Sequence, residues 1–321
     1  MSTSVVTIVS DGTNLPAALG PDLAAAIDLA KAEKAASTRK AYGTDYRLFK
    51  TWCDAKGAQA LPAAPETVAA YLASQAGTSK PSTLGRRVAA IRYAHKLAGL
   101  ALPTDAEGVK ATMRGIRRTF GSARARKAPA VSGKMLGMVA TAPNNLAGIR
   151  DRALLLLGFA GAFRRSELVA LDVADLEETE TGLLVCIRSS KTDQEGQGVT
   201  IAIARGDVAC PVKAVQEWLG AAAIEAGPIF RPIDKAGTVR TSRLTDRSVA
   251  NIVKAYAERA GFDASTFSGH SLRAGFLTSA AGKGASIFKM VDVSRHKSVD
   301  TLRDYVRDAE LFKDHAGAGL L

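Results

Sequence analysis

Residues 294–308 read SRHKSVDTLRDYVRD, and the interpretation of the whole chain depends on the tyrosine within them. A short basic helix over Thr301–Asp308 accounts for most of these letters. Two interpretations of Tyr305, which lies nine residues after His296, then remain open. Either its ring packs in the core while the neighbouring arginines face water, or its phenol is a nucleophile. The rest of the sequence decides between them.

The size and composition of the chain are those of a soluble globular protein with two domains. It has 321 residues, of which 47% are hydrophobic and 23% charged. No apolar run reaches the roughly 18–20 residues that cross a bilayer, and the N-terminus, MSTSVVTIVSDGTNLP, lacks the basic start of a signal peptide. Cys53, Cys186 and Cys210 show no zinc-binding spacing and are typical of a reducing cytoplasm. We therefore expect a cytoplasmic protein without a metal site.

The net charge of +12 is concentrated in the first part of the chain. Residues 31–127 contain 19 Lys and Arg against 6 Asp and Glu, whereas residues 128–321 contain 24 against 22. Such a one-sided distribution is the electrostatic footprint expected of contact with a polyanion. A merely soluble basic domain is the alternative. A membrane surface is disfavoured, because the basic residues are spread over several helices.

After a loose polar N-terminal tail, residues 1–20, the sequence predicts an all-α domain over residues 21–120. STRKAYGTDYRLFKTWCDAKG (37–57) begins with a helix-capping Ser37 or Thr38 and spaces its aromatic residues by three and four. The segments 65–76 and 81–99 begin with proline, as helices often do. The remaining predicted helices are PDLAAAIDLAKAEKAA (21–36), PETVAAYLASQA (65–76), PSTLGRRVAAIRYAHKLAG (81–99) and DAEGVKATMRGIRRTFG (105–121).

The second half of the chain has a different character. GSARARKAPAV, residues 121–131, predicts a basic interdomain linker before a domain over residues 132–308. GLLVCIRSS (182–190) and GVTIAIA (198–204) are rich in β-forming residues and flank a polar turn, which predicts a hairpin between helices. The predicted fold class is therefore α+β, mainly α with a small β-sheet. A C-terminal tail, residues 309–321, carries more apolar residues than a free tail needs: Leu311, Phe312, Leu320 and Leu321.

Several residues able to do chemistry follow one another in the second domain. The hairpin turn contains Lys191, and GHSLRAG (269–275) contains His270 and Arg273, whose spacing puts both on one face of a helix. GAFRRSEL (161–168) contains paired arginines, and the opening stretch contains His296 and Tyr305. Each signal is common by chance when taken alone, so only their combination is informative.

The order and spacing of these residues resemble the active-site pattern of the tyrosine recombinases, the phage-integrase and Cre-like family. GAFRRSEL resembles the family's first arginine box, G-L-R-x-x-E-L, which aligns Arg164 rather than Arg165 with the catalytic arginine. GHSLRAGFLTSAAGKGAS (269–286) is similar to the second box, and SRHKSVDTLRDYVR to the third. The family commonly has Leu-Gly before the third-box histidine. This chain has Ser294-Arg295 there, which puts the geometry of that turn in question.

The resemblance implies a site-specific DNA recombinase in which Tyr305 attacks a DNA phosphodiester and forms a 3′-phosphotyrosyl intermediate. Arg164 and Arg273 would hold the phosphoryl oxygens, because a guanidinium donates two hydrogen bonds and stays charged. Two charges accumulate on those oxygens in the transition state, and donors already in place stabilise them. Glu167, next to the first box, would orient neighbouring basic side chains.

The proton transfers fall to other residues of the pattern. A tyrosine with a pKa of about 10 needs a base near neutrality, and His270 is the expected general base. Lys191 would protonate the leaving 5′ oxygen, and His296 would add a hydrogen bond to the phosphate. No ATP, metal or other cofactor is expected, since the chain has no Walker A motif and no evident acidic cluster for two magnesium ions.

The expected partner is double-stranded DNA, held between the two domains as in a C-shaped clamp. Helix 81–99 is predicted to enter the major groove, while most other basic contacts go to phosphates. The resemblance further implies inverted-repeat half-sites, a dimer on each site, a tetramer in the synapse and a nucleoid-associated location. It also implies docking of the tail 309–321 on a neighbouring protomer, with packing on its own domain as the alternative. The predicted DNA-contacting residues are Arg39, Lys40, Arg86, Arg87, Arg92, Lys96, Arg117, Arg118, Arg124, Arg126 and Lys127.

Two other functions fit parts of the sequence. A type IB topoisomerase uses a similar set of Arg, Lys, His and Tyr residues to relax DNA, but the small all-α first domain and the short tail favour recombination. A non-catalytic DNA-binding protein would use residues 248–276 as a helix-turn-helix. Against it stands the complete catalytic set, which a pure binder has no reason to retain.

Overall fold

The computed structural model describes residues 16–121, 127–188, 198–296 and 298–309, which belong to two compact units. The first unit extends to Ala125 and the second begins at Arg126, so the division lies within the predicted segment 121–131. Each unit has its own buried apolar core. Among the helices of the described ranges, none is both long and apolar enough to cross a membrane.

The first unit is helical over its described residues, and its five predicted helices are confirmed. α2 packs against α4 and α3 against α5, around a core that includes Phe49, Tyr71, Leu84 and Ile91. The elements are α1 (Gly20–Ala32), α2 (Ala36–Lys56), α3 (Pro65–Gln75), α4 (Pro81–Leu97) and α5 (Glu107–Phe120), with short 3-10 turns at Ala17–Leu19 and Pro103–Asp105.

The prediction that Ser37 or Thr38 caps the second helix is wrong. α2 begins at Ala36, its N-cap residue is Ala35, and no side chain caps it. The N–H of Thr38 instead donates to the carbonyl oxygen of Ala35 at 2.9 Å, inside the first turn. Only three residues join α1 to α2, and this short connection starts the helix before the hydroxyl-bearing residues are reached.

His95 belongs to the core of the first unit. It is fully buried, its Nδ1 lies 2.9 Å from the carbonyl oxygen of Ile91, and its Nε2 accepts the N–H of Ala63 at 2.9 Å. Because Nε2 accepts a hydrogen bond, the ring is neutral and carries its proton on Nδ1. His95 is therefore a structural residue.

The second unit combines helices with a small antiparallel sheet. The predicted hairpin is confirmed: β2 pairs with β3, with Leu183 opposite Ile203 and Val185 opposite Ile201 on the buried face. The short strand β1 and the helix α12 were not predicted. The elements are α6 (Ser132–Ala140), α7 (Leu146–Ala160), α8 (Arg165–Ala170), β1 (Leu176–Glu178), β2 (Gly182–Ile187), β3 (Val199–Ala204), α9 (Pro211–Ala221), α10 (Asp246–Arg259), α11 (Ser271–Gly282), α12 (Ile287–Ser294) and α13 (Val299–Ala309), with 3-10 turns at Val173–Asp175 and Ala264–Thr266.

Residues 127–131, here called the entry strap, are bound to the second unit. The N–H of Ala128 donates to the carbonyl oxygen of Thr266, and that of Ala130 to Ser271, both at 2.9 Å. Gly275 makes this approach possible, since a Cβ atom there would come within 2.0 Å of the carbonyl oxygen of Ala130. This half of the predicted linker is thus a part of the second unit, attached where α11 begins.

Candidate active site

The start of α8 fixes the first arginine. Arg164 is the N-cap residue of this helix and Glu167 its third residue, and the Glu167 carboxylate reaches back to the N-cap as the acidic half of a capping box does. The backbone N–H of Arg164 donates to Oε2 of Glu167 at 2.9 Å, and its Nη1 donates to Oε1 at 2.5 Å. Burial alone would raise the pKa of Glu167, but the charges of Arg295 and Arg164 hold that pKa below its ordinary value. Glu167 is therefore an ionised carboxylate that orients Arg164.

Arg273, the second arginine, lies almost fully buried on α11 with 1% of its surface exposed. Its Nη1 donates to the carbonyl oxygen of Ala162 at 2.6 Å, and its Nη2 lies 3.2 Å from Nδ1 of His296. Burial, followed by the charges of Arg164 and Arg295, lowers the pKa of Arg273 to about 9. It remains charged near neutral pH, so a preorganised cation is held where water has been removed.

The ring of His296 is oriented by two polar neighbours. The hydroxyl of Ser294, a fully buried residue, lies 2.8 Å from Nδ1, and Arg273 approaches the same nitrogen. Nη2 of Arg273 also lies 3.4 Å from Nε2, so this guanidinium borders both ring nitrogens. Burial, then the charges of Arg273 and Arg164, lowers the pKa of His296 to about 3. His296 is thus a neutral donor of one N–H.

His270 and Tyr305 lie near the same arginines. His270 is the N-cap residue of α11. Although it is exposed on one side, partial loss of water around its ring, followed by the charges of Arg273 and Arg164, lowers its pKa. Tyr305 is half-buried on α13, which packs on α11, and its phenol is close enough to Arg273 that its ionised form would oppose the lowering of that arginine's pKa. Its ring packs against a small cluster that includes Leu302. The ring of Tyr305 therefore packs against apolar neighbours, while its phenol lies near the arginines, so both alternatives for this tyrosine fit a part of its surroundings.

Arg165, the neighbour of the first arginine, faces another way. Its guanidinium lies 3.7 Å from the carboxylate of Asp246. Its side chain crosses Gly269, where a Cβ atom would come within 2.0 Å of Cδ of Arg165. The structure therefore gives the two adjacent arginines different partners, and the assignment of Arg164 to the first box stays a prediction.

The helix-turn-helix alternative conflicts with the burial of α11. Its second helix would have to present side chains to a DNA groove, but Leu272, Arg273, Ala274 and Leu277 are buried within the unit. α11 is therefore a buried helix of the second unit and not a helix that could enter a DNA groove.

Arg295 is the member of the site that sequence reasoning missed. It ends α12 in the left-handed conformation, with φ of 57° and ψ of 39°, which costs a residue with a Cβ atom roughly 1–2 kcal/mol. Its Nη2 donates to Oε2 of Glu167 at 2.8 Å, and its guanidinium lies 5.2 Å from the ring centre of Phe163. The only sequence signal was the arginine that stands before His296 in place of the family's usual glycine.

Three predicted residues, Lys191, Arg124 and Arg126, lie outside the described residues, as does the tail after Ala309. The hairpin that carries Lys191 is described as far as Arg188. The guanidinium of Arg188 binds the carboxylates of Asp172 at 2.7 Å and Asp175 at 2.9 Å. One end of the hairpin is thereby attached to the segment that follows α8.

The predicted DNA-contacting residues differ in how firmly neighbours hold them. In α4, Arg86 binds the buried carboxylate of Asp45 at 2.6 Å, Arg87 donates to Gln75 at 3.0 Å, and Arg92 pairs with Asp105. Nζ of Lys127 donates to the carbonyl oxygen of Ser265 at 2.7 Å. Of these four, only Arg87 is partly buried; the others are exposed, as are the remaining described candidates, Arg39, Lys40, Lys96, Arg117 and Arg118. Their contacts with DNA stay predictions.

Comparison with known proteins relates the second unit to one family. Residues 133–311 match the phage integrase family. An integrase/recombinase xerD homolog from Selenomonas ruminantium is 42% identical over 290 residues, which cover 88% of this chain and 85% of the relative. Recombinase cre of Escherichia phage P1 is 27% identical over 284 residues, 82% of each chain.

Solved structures share the fold at low sequence identity. The Tn1549 transposon integrase in complex with transposon right end DNA superimposes with a TM-score of 0.60 at 15% identity, covering 90% of this chain and 97% of the other. A lambda integrase dimer bound to a COC' core site gives 0.57 at 15% identity, covering 94% and 84%. At this identity the likeness concerns the fold.

Proposed function

The chain belongs to the phage integrase family and is a tyrosine recombinase, and on that premise we propose that Tyr305 cleaves DNA by becoming joined to a 3′ phosphate. The phenol oxygen forms a bond to phosphorus as the bond from phosphorus to the 5′ oxygen breaks. His270 accepts the phenol proton, and Lys191 protonates the 5′ oxygen. Religation reverses these transfers at a new 5′ end, so the reaction requires neither ATP nor a metal ion.

One observation carries this proposal: the buried guanidinium of Arg273 lies 3.2 Å from the His296 ring, and its helix, α11, packs against α13, which contains Tyr305. A phosphate between the arginines would receive hydrogen bonds from donors that are already fixed in place. Arg164 is held from the other side by Glu167. These donors complement the charge that develops on the phosphoryl oxygens.

The DNA partner and the assembly extend the proposal. We propose that both units contact a duplex with inverted-repeat half-sites, that two protomers bind each site, and that a tetramer forms the synapse. The Tn1549 transposon integrase in complex with transposon right end DNA and the lambda integrase dimer bound to a core site support this by their shared fold. A cytoplasmic location at the nucleoid accompanies it.

The proposal is tested with the full chain and nicked duplexes. A randomised duplex library is first enriched by binding, and the retained sequence is rebuilt as suicide substrates with a nick near each possible cleavage position. We expect a covalent adduct that carries the 3′ end, with peptide mapping assigning the DNA to Tyr305. Adduct at another residue, or none on any substrate, contradicts the proposal. Relaxation of plasmids regardless of sequence would favour the topoisomerase alternative.

The pH dependence of cleavage is expected to follow His270. As a general base it acts in its neutral form, and its pKa lies below the ordinary value of 6.5. The rate at subsaturating protein, which reports the free protein, should therefore fall at acid pH with a midpoint below 6.5, as the ring becomes protonated. Rates from about pH 5 to about pH 8.5 cover this range. His270→Gln should cleave slowly, and its rate should not fall at acid pH. A fall of the unsubstituted chain's rate with a midpoint above pH 6.5 would contradict the assignment of His270 as the base.

The salt dependence of DNA binding is expected to report the exposed arginines at the end of α5. If Arg117 and Arg118 each neutralise one phosphate, the slope of log K against log salt should become shallower by about 1.8 in Arg117→Gln/Arg118→Gln. Fluorescence anisotropy at several salt concentrations measures it. Lys50→Gln is the control, because Asp54 already pairs with Lys50 at 2.8 Å. Equal slopes for the double variant and the unsubstituted chain would exclude these contacts.

A further inference from the structure

The buried guanidinium of Arg295 has no part in the mechanism proposed above. Its side chain is 6% exposed, and its backbone adopts a left-handed conformation that residues with a Cβ atom rarely adopt. Its Nε has no hydrogen-bond partner within the described ranges of the chain. Each of these features is unfavourable, and glycine at this position would avoid all of them. The side chain therefore provides something that glycine does not.

The charges around Glu167 indicate what that is. Arg164 binds one carboxylate oxygen at 2.5 Å, and Arg295 binds the other at 2.8 Å. One carboxylate between two guanidiniums leaves one net positive charge. Without Arg295, the buried Glu167 would offset the charge of Arg164, which is the group that must face an anionic phosphate.

The positive charge of Arg295 also acts on Arg273. Nη2 of Arg295 lies 3.3 Å from the carbonyl oxygen of Ala162, which accepts from Arg273 at 2.6 Å as well. After burial, Arg295 is one of the charges that lower the pKa values of Arg273 and His296. Three guanidiniums and one carboxylate thus give the site a net charge of two positive units. That equals the charge of the two phosphate-binding arginines alone.

We infer that Arg295 is a positioning residue: it cancels the charge of Glu167, so that Glu167 can hold Arg164 while Arg164 and Arg273 keep two uncompensated charges for the scissile phosphate. This inference rests on the proposed function, since it requires a phosphate at the site. A residue that only filled space would act through its volume and not through its charge.

The test removes the charge of Arg295 and then that of Glu167, using the nicked duplex described above. Arg295→Met should slow single-turnover cleavage about 10- to 100-fold, with DNA affinity within about threefold. Arg295→Met/Glu167→Gln, which no longer contains an uncancelled carboxylate, should cleave about tenfold faster than Arg295→Met. Arg295→Lys keeps the charge and should stay within about tenfold of the unsubstituted chain.

Arg240→Met is the matched control, because it breaks an exposed ion pair with Asp234 (2.8 Å) and should not change the rate. Thermal unfolding is measured for every variant. Should Arg295→Met fail to fold, the same comparison uses Arg295→Gly with and without Glu167→Gln, since glycine suits the left-handed backbone.

The outcomes separate this inference from the proposed function. A double variant no faster than its Arg295 parent shows that Arg295 acts by packing, and the inference is then wrong. It is equally wrong if Arg295→Met cleaves like the unsubstituted chain, or if the methionine and glycine variants both fail to fold. Absence of a covalent adduct from the unsubstituted chain would instead overturn the proposed function.

Discussion

Tyr305→Phe is expected to abolish the covalent adduct, with a loss of cleavage of more than about 10⁴-fold. The substitution removes one oxygen, the atom proposed to form the bond to phosphorus. It keeps the ring that packs beside Leu302 and Met290, so the fold should remain intact. Denaturing gels of the nicked-duplex reaction measure the adduct directly.

The control for this experiment is binding. Tyr305→Phe should bind the selected duplex as tightly as the unsubstituted chain, because it keeps every basic side chain. Its thermal unfolding temperature should also be close to that of the unsubstituted chain. An adduct of normal yield in Tyr305→Phe would assign the nucleophile to another residue and remove the basis of the mechanism.

Arg273→Met is expected to lower the single-turnover cleavage rate about 10²- to 10³-fold, the usual cost of one transition-state donor. Methionine fills much of the space of the buried side chain but carries no charge and no fork of donors. Affinity for the duplex should change little, since phosphate contacts elsewhere dominate binding. The rate is measured with protein in excess over nicked duplex, so that binding does not limit it.

A second substitution separates charge from geometry at this position. Arg273→Lys keeps a positive charge but cannot reach the carbonyl oxygen of Ala162 and the His296 ring together, so it should lie between methionine and arginine in rate. The surface variant Arg240→Met again serves as the control. Cleavage by Arg273→Met at the unsubstituted rate would show that this buried cation does not act on the phosphate.

Local patterns in the sequence predicted most of the fold. Proline at helix starts and aromatic residues at three- and four-residue spacing located the helices of the first unit, because these signals act within one or two turns. The hairpin was recognised from two β-rich runs around a polar turn. The three residues of β1, Leu176–Glu178, and the eight of α12, Ile287–Ser294, are too short to show such a period.

The site was predicted as a set of residue types but not as a set of contacts. Motif order identified Arg164, His270, Arg273, His296 and Tyr305, which the structure brings into one neighbourhood. The bond between Arg295 and Glu167 joins residues 128 positions apart, and that between Arg273 and Ala162 joins residues 111 apart. No local rule gives such pairings, since they depend on how α8, α11 and α12 pack.

The entry strap determines where the chain can be divided. Its two backbone hydrogen bonds end on Thr266 and Ser271, on either side of His270. A fragment meant to carry the second unit alone should therefore begin before Lys127, because a later start would leave acceptors beside His270 unpaired and expose the groove over Gly275. Inserted residues are better tolerated ahead of the strap than within it, where one extra residue would put Ala128 and Ala130 out of register.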